Sequence, residues 1–508
     1  MAHFGAFLLA LATSQPSNGE AAALLERALA AHGGMDSIEA APGITITLEG
    51  RTDLSARGQG RRLDAAEWTP ITERISIDPA SGAVAYESDA YNYAFSRQRL
   101  REVHREGPLF VDLAAGSGGY LPFTLTDDAH ARYRRYLPQL LVAEALGRRE
   151  TLRRAPDRDF HGCDARAVDY ETAAGERLRI YLERASGLVC GAAASVDMPV
   201  FGPEEVHYRW RNYRSLGAAW VPESFASWLG GRPLKEARMT VRFTADPAAF
   251  APPPGLALDD PPEALRRLAD LPPAGERQPR VEQIAEGVHL IRNLRPGFHT
   301  PFIVFDDHVL VVDAPTGYHD IQQIPPLWGS PGDGVEALGE KIVRAVRQVV
   351  SDRPIRRVVL THHHGDHIGG LAPLVREGAS IIATEPVAAA ARRIAPDARI
   401  ETFAGEMTLA DSDMEVRLIE LPSGNPKAEG FTLIYLPRQR FLYSTGFIYP
   451  VGEGERPPPE SIELSLWFLD WLDRSGLQVE THYNVHAGGR IEQRHLDALR
   501  RIAAERRR

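Results

Sequence analysis

The stretch from 358 to 370, VVLTHHHGDHIGG, crowds His362, His363, His364, Asp366 and His367 into six consecutive positions. Imidazoles so close together repel one another once protonated, and a divalent cation resolves the conflict. His362 and His364 are two apart, so in an extended segment they share a side. Asp366 and His367 enter the following turn and can aim at an adjacent point. Imidazole and carboxylate suit Zn2+ or a similar ion. Gly365 permits the tight turn, and Gly369 with Gly370 lets a helix approach a sheet closely.

The elements that position this cluster read as a βα unit. The helical segment GEKIVRAVRQVV leads through Asp352 and Pro354 into the buried strand RRVVLT, and DHIGGLAPLVREG then begins a helix. Reactive groups in such units gather at the carboxyl end of the strand. From 281 to 508, strands such as TPFIVFDDHVLVVDAP, MEVRLIELP and FTLIYLP alternate with helical spacing, which indicates a layered domain of helices and sheets. Residues 20–245 read differently. A helix, AAALLERALAAHGG, stops at Gly33 and Gly34, and alternating segments such as ITITLEG, ARAVDYET and RLRIYLERASGLVCG then predict an antiparallel sheet. The helix DDAHARYRRYLPQLLVAEALGRR sits among them, its arginines read as a solvated face. Prolines and small residues over 246–280 mark a linker, interrupted by the short helix PPEALRRLADL. The fold class expected is α+β with two domains.

The order His-x-His-x-Asp-His followed by Ile-Gly-Gly resembles the signature of the metallo-β-lactamase fold superfamily. The resemblance spans about 284–490 and includes Asp313 at the end of FIVFDDHVLVVDAP, where that fold keeps a buried aspartate. It implies an αββα sandwich, with His362 and His364 helping to hold a first metal and Asp366 and His367 a second. Two positions depart from the pattern. The first site's third ligand falls on Lys427, whose ammonium repels a cation, with Glu429 or Asn425 as substitutes if the alignment shifts. The bridging aspartate falls on Phe447, which cannot coordinate. The last family ligand falls on His486, with His482 as its competitor. One ion rather than two is therefore expected, Zn2+ held by Asp366, His367 and His486. Such an ion lowers the pKa of bound water to about 7 for attack on an ester, lactone, thioester or amide. The catalytic set is then Asp366, His364 moving the proton, and Lys427 binding an anionic group or the developing oxyanion. His299 and Tyr449 are candidates for substrate contact, and His363 should face away from the ion.

Residues 20–245 resemble, by pattern, the half-barrel of the periplasmic lipoprotein-carrier class, which implies an apolar groove able to hold an acyl chain. A net charge of -10 argues against nucleic acid and favours a small-molecule substrate. After the N-terminal segment no stretch is apolar over the roughly 20 residues that a membrane span requires. MAHFGAFLLALATSQPS makes 1–19 a candidate signal peptide, although no Lys or Arg precedes its apolar run. Export to the periplasm or secretion is the reading it suggests, the cytoplasm the alternative. Cys163 and Cys190, the two cysteines, could pair across neighbouring strands or remain buried thiols. The function expected is a metal-dependent hydrolase. The rivals are an inactive relative that binds a ligand or partner, and a hydrophobic-ligand carrier acting through the N-terminal domain.

Overall fold

The computed structural model describes residues 18–93, 96–105, 108–113, 117–120, 129–256, 278–295, 298–316, 335–448, 461–485 and 489–506. Most of the candidate signal segment, the central part of the linker with its short helix, Tyr449 and His486 lie outside them.

The N-terminal region is built on one thirteen-stranded antiparallel sheet in which the last strand, Arg232–Arg242, pairs with the first, Ile44–Asp53. Alternation does the sorting: in Trp68–Ile77, Ile71, Ile75 and Ile77 turn inward while Pro70, Thr72 and Arg74 face solvent. The opening helix, Asn18–Ala31, and the helix Pro138–Gly147 lay Leu24, Leu25, Leu140 and Leu141 on the apolar face. A sheet that packs helices on its apolar face is the arrangement expected from the sequence pattern. The arginine-rich segment forms two helices, Ala129–Arg134 and Pro138–Gly147, because Pro138 lacks the donor and restricts the residue before it. Its arginines do not form a solvated face. Arg135 is fully buried in a two-pronged pair with Glu144, at 2.7 and 2.6 Å, and Arg132 reaches Glu176 at 3.1 Å. Carboxylates supplied from inside the fold make this burial tolerable. The inward-facing Glu73 is held the same way, by Lys235 and the Tyr86 hydroxyl.

Cys163 and Cys190 form a disulfide, with Cα atoms 6.7 Å apart, among Phe160, Ala165, Tyr181 and Ala193. Of the two states left open by the sequence, the bridge is the one found.

The C-terminal region has a seven-stranded and a six-stranded sheet. In the first, Val309–Val312, Ile355–Val359, Ser380–Thr384 and Ile400–Phe403 run parallel, joined by helices, the arrangement that puts reactive groups at strand ends. Val312, Val359 and Ile382 of this sheet pack against Val416, Ile434 and Tyr443 of the second. Helices Ala337–Val349 and Glu385–Ile394 cover its other face, and Ile462–Ser475 with Gln493–Arg506 cover the far face of the second sheet. The two regions interlock. Val200, from the hairpin between Val189–Met198 and Gly202–Leu216, joins the C-terminal core beside Ile368 and Leu338.

Two measurements follow from the N-terminal packing. Reduction of the bridge, or Cys163→Ser with Cys190→Ser, is expected to lower stability by about 3 kcal/mol. Urea melts of oxidised and reduced protein check this, and equal midpoints contradict it. His32 is fully buried, gives Nδ1 to the Trp220 carbonyl and takes the Val189 N–H on Nε2, and burial pushes its pKa down to about 4. The unfolded chain binds the extra proton, so this contribution is complete above pH 6.5 and is lost as pH falls towards 4. Wild type should lose about 3 kcal/mol of stability over that interval that His32→Gln does not lose, and parallel pH profiles would count against this origin.

Candidate metal centre

The strand Ile355–Val359 delivers the histidine motif to the seam between the two sheets, where Thr432 N–H donates to the Thr361 carbonyl. Asp313, fully buried at the end of Val309–Val312 with φ of +60°, organises it. Its Oδ1 accepts the Thr361 N–H at 2.7 Å, and its Oδ2 accepts the Thr361 hydroxyl at 2.8 Å and His367 Nδ1 at 2.9 Å. These partners assign protons to the rings. His367 donates from Nδ1 to an acceptor-only carboxylate. Thr361 spends its one hydroxyl proton on Asp313, so it accepts from His362 Nδ1, 3.0 Å away.

The motif's side chains are brought together. The His362 ring lies 4.1 Å from His367 and 4.6 Å from His364, centroid to centroid, and all are buried. Asp366 Oδ2 stands 3.6 Å from His367 Nε2. His362 Nε2 is buried and meets no hydrogen-bond donor or acceptor among the described residues. Burial and the neighbouring cationic groups hold the pKa of His362 and His364 well below the ordinary imidazole value, so both rings are neutral. Among the described residues, no group of three or more His, Cys, Asp or Glu side chains is arranged to hold a metal ion, and His486 lies outside them.

Lys427 is fully buried beside this cluster, its Nζ 5.8 Å from the Phe431 ring centre and 5.7 Å from that of Phe447. Desolvation pushes its pKa down to about 8, against the opposing pull of the Asp366 and Asp313 carboxylates. At neutral pH it remains mostly an ammonium. Asn425 fixes the loop that presents it, accepting the Lys427 and Ala428 N–H groups at 3.0 Å each and donating to the Pro422 and Ala428 carbonyls. With both ends of its amide on backbone, Asn425 is no substitute ligand. Nor is Glu429, which pairs with Arg62 at 3.4 Å and is part-exposed. Phe447 is buried among Phe431, Phe468 and Trp467.

The other candidates are placed as follows. His482 meets the Ser444 hydroxyl through Nε2 at 2.7 Å and is pushed down to about 3 by burial. His299 is buried, with its N–H donated to Val485 and its ring against the backbone of Gly489, which bounds the segment carrying His486. His363 and His364 both point Nε2 at the carbonyl of Gly60, at 2.8 and 3.3 Å. Sequence reading missed Gly60. Its only mark there is the glycine-rich turn ARGQGRR, which carries no chemical signature.

Residues 295–499 match the family described as the metallo-beta-lactamase superfamily. The 2,4-dinitroanisole O-demethylase subunit alpha of Nocardioides sp. (strain JS1661) is 24% identical over 196 residues, 37% of this chain and 55% of that protein. The chain thus spans about half the length of this curated relative. Among solved structures, a metallo-beta-lactamase from Pontibacter korlensis is 16% identical, covers 45% of this chain and 98% of its own, and has a TM-score of 0.33. The metallo-beta-lactamase FIM-1 from Pseudomonas aeruginosa, in its mono-zinc form, is 15% identical over 46% and 97%, with a TM-score of 0.34. The flavodiiron protein from Giardia intestinalis is 16% identical over 44% and 59%, with a TM-score of 0.31. The C-terminal region of this chain, over residues 295–499, belongs to the metallo-beta-lactamase superfamily.

Proposed function

We propose that the chain is a metal-dependent hydrolase of a small-molecule substrate that works with one divalent ion, Zn2+, in a C-terminal αββα sandwich. One observation carries the reading: the buried rings of His362, His364 and His367 are crowded together, with His362 4.1 Å from His367 and 4.6 Å from His364 between centroids and the Asp366 carboxylate 3.6 Å from His367 Nε2. Imidazoles and a carboxylate gathered out of water are the donor set that a divalent cation takes. A two-ion centre does not fit, because an ammonium and a phenyl ring stand at two of its ligand positions. Asp366 and His367, with His486, are the residues that would hold one ion, His362 adding a donor. When bound, that ion supplies Lewis-acid activation of water and of the bond to be broken.

The chain's own groups do the rest. Asp313 fixes the His367 ring through Nδ1 and so aims Nε2. His364 takes the proton of the attacking water. Lys427, positioned by Asn425, supplies in place of a first ion the fixed positive charge that binds an anionic substrate group or the developing oxyanion. Esters, lactones, thioesters and amides are the bonds this set suits, and the O-demethylase relative adds the methyl ether of an aromatic ring. The disulfide supports a periplasmic or secreted location. A second reading, a ligand or partner binder without turnover, is favoured by the lack of a three-ligand group among the described residues.

Metal analysis of gently purified full-length protein should find about one equivalent of zinc. Asp366→Asn should lose it, and metal-free wild type would favour the second reading. Against 4-nitrophenyl acetate, an aryl lactone, an acyl thioester and 4-nitroanisole, turnover should stop with chelator. Lys427→Met should lower kcat by about 100-fold or more while the zinc is retained. An unchanged rate would remove Lys427 from the mechanism.

A further inference from the structure

We propose that the outer face of the N-terminal sheet carries a binding site for a small organic anion, whose anionic oxygens meet the guanidinium groups of Arg209 and Arg211 and whose apolar body lies against Trp228. The strand Gly202–Leu216 builds one wall by alternation: Val206, Tyr208 and Trp210 join the core, so Arg209 and Arg211 turn outward. Across from them on Ala219–Leu229 stand only Ala226 and Ser224, the small floor of a trough of about 590 Å3 that Trp228 also lines.

Arg209 is the anchor. Only 8% of it is exposed, and its Nη1 donates to the carbonyls of Cys190 and Trp210 at 2.6 and 2.7 Å. Its Nε is buried without a hydrogen-bond partner, and among the described residues no carboxylate lies within ion-pair distance of Arg209, Arg211 or Arg158. A guanidinium so far out of water normally meets a carboxylate, as Arg135 meets Glu144 in the same region. The arginines of the opposite wall are neutralised, Arg51 by Glu236 at 2.7 Å and Arg238 by Glu49 at 2.8 Å. In a chain of net charge -10, the remaining three form a local positive field. His161 registers it: burial, and then His207, Arg209, Arg211 and Arg158, push its pKa below the ordinary imidazole value. Burial and Arg211 push Arg209 down as well, with Tyr213, Glu183 and Asp159 opposing.

The groups are held in place before any ligand arrives. Gly191 pairs with Arg209, and a Cβ there would fall 2.2 Å from the Phe160 ring, so glycine lets that ring close over the strand. The next residue, His161, has a φ of +50°; its carbonyl accepts Arg211 Nη2 at 3.2 Å, and its ring stacks on Trp228 with centroids 3.9 Å apart. The Cys163–Cys190 bridge ties this turn to the residue whose carbonyl holds Arg209. The opposite wall selects the kind of ligand. Glu236 and Arg238 pair with Ala226 and Ser224, and Arg51 and Glu49 follow on the next strand. A broad anionic surface, such as a bilayer or a nucleic-acid backbone, meets those carboxylates, whereas a small anion fits between the walls. Trp228 offers its ring to an apolar body.

Isothermal titration calorimetry of full-length protein at low ionic strength, with phenylphosphonate, benzoate and inorganic phosphate, tests the site. Both aryl anions should bind one to one, phenylphosphonate about 10-fold tighter than inorganic phosphate. Arg209→Met should weaken both by about 10-fold or more, and the exposed Arg211→Gln by about 5-fold. Arg347→Gln, a charge lost from the helix Ala337–Val349, should change neither. Circular dichroism reports folding, and if Arg209→Met does not fold, Arg211→Gln decides. The proposal is overturned by an absence of saturable binding, by equal affinity for phenylphosphonate and inorganic phosphate, or by unchanged affinities in the folded Arg209 and Arg211 variants. Capture by phosphatidylglycerol vesicles without binding of the three probes overturns it in favour of a membrane surface.

Discussion

A single buried carboxylate, Asp313, decides how the motif is used. It closes the end of one parallel strand, bonds the backbone and side chain of Thr361 on the next, and grips His367 beyond the turn. Through Thr361 it also fixes the proton on His362. Two rings thus take their orientation from one group. The carboxylate sits at a non-glycine residue in the left-handed region, a conformation that costs about 1 kcal/mol or more and persists only where surrounding bonds over-determine it.

Beside that scaffold the site carries a buried positive charge, Lys427. A buried ammonium is expensive when isolated, and Lys427 is tolerated because Asp366 and Asp313 act on it and aromatic faces of Phe431 and Phe447 lie near. The Phe447 ring belongs to an apolar cluster with Phe468 and Trp467, so the substitution at the bridging position is part of the core of the second sheet. Lys427 and Phe447 thus stand together beside the histidines, one a buried cation and the other a core phenyl ring.

Much of this could be read before any coordinates. The motif follows a buried strand and opens a helix, as its glycines and hydrophobic run require, and Asp313 was marked by its place at a strand end. Local patterning failed where a residue's partner is remote. The arginines of Ala129–Arg134 and the turn after it looked solvated because Glu176 approaches them only in the folded sheet. The Gly60 carbonyl meets His363 across 303 positions, and a backbone oxygen has no letter in a sequence. Periodicity identified the helices, and packing showed where they lie on the sheet's apolar face.

Anomalous diffraction from crystals grown with zinc tests the central claim most directly. The account predicts one peak, bound by Asp366, His367 and His486, with the Lys427 ammonium standing where a first ion would be. Two peaks about 3.5–4 Å apart, the spacing of two-metal hydrolases, would contradict it. So would a peak between His362 and His364 with Lys427 turned away.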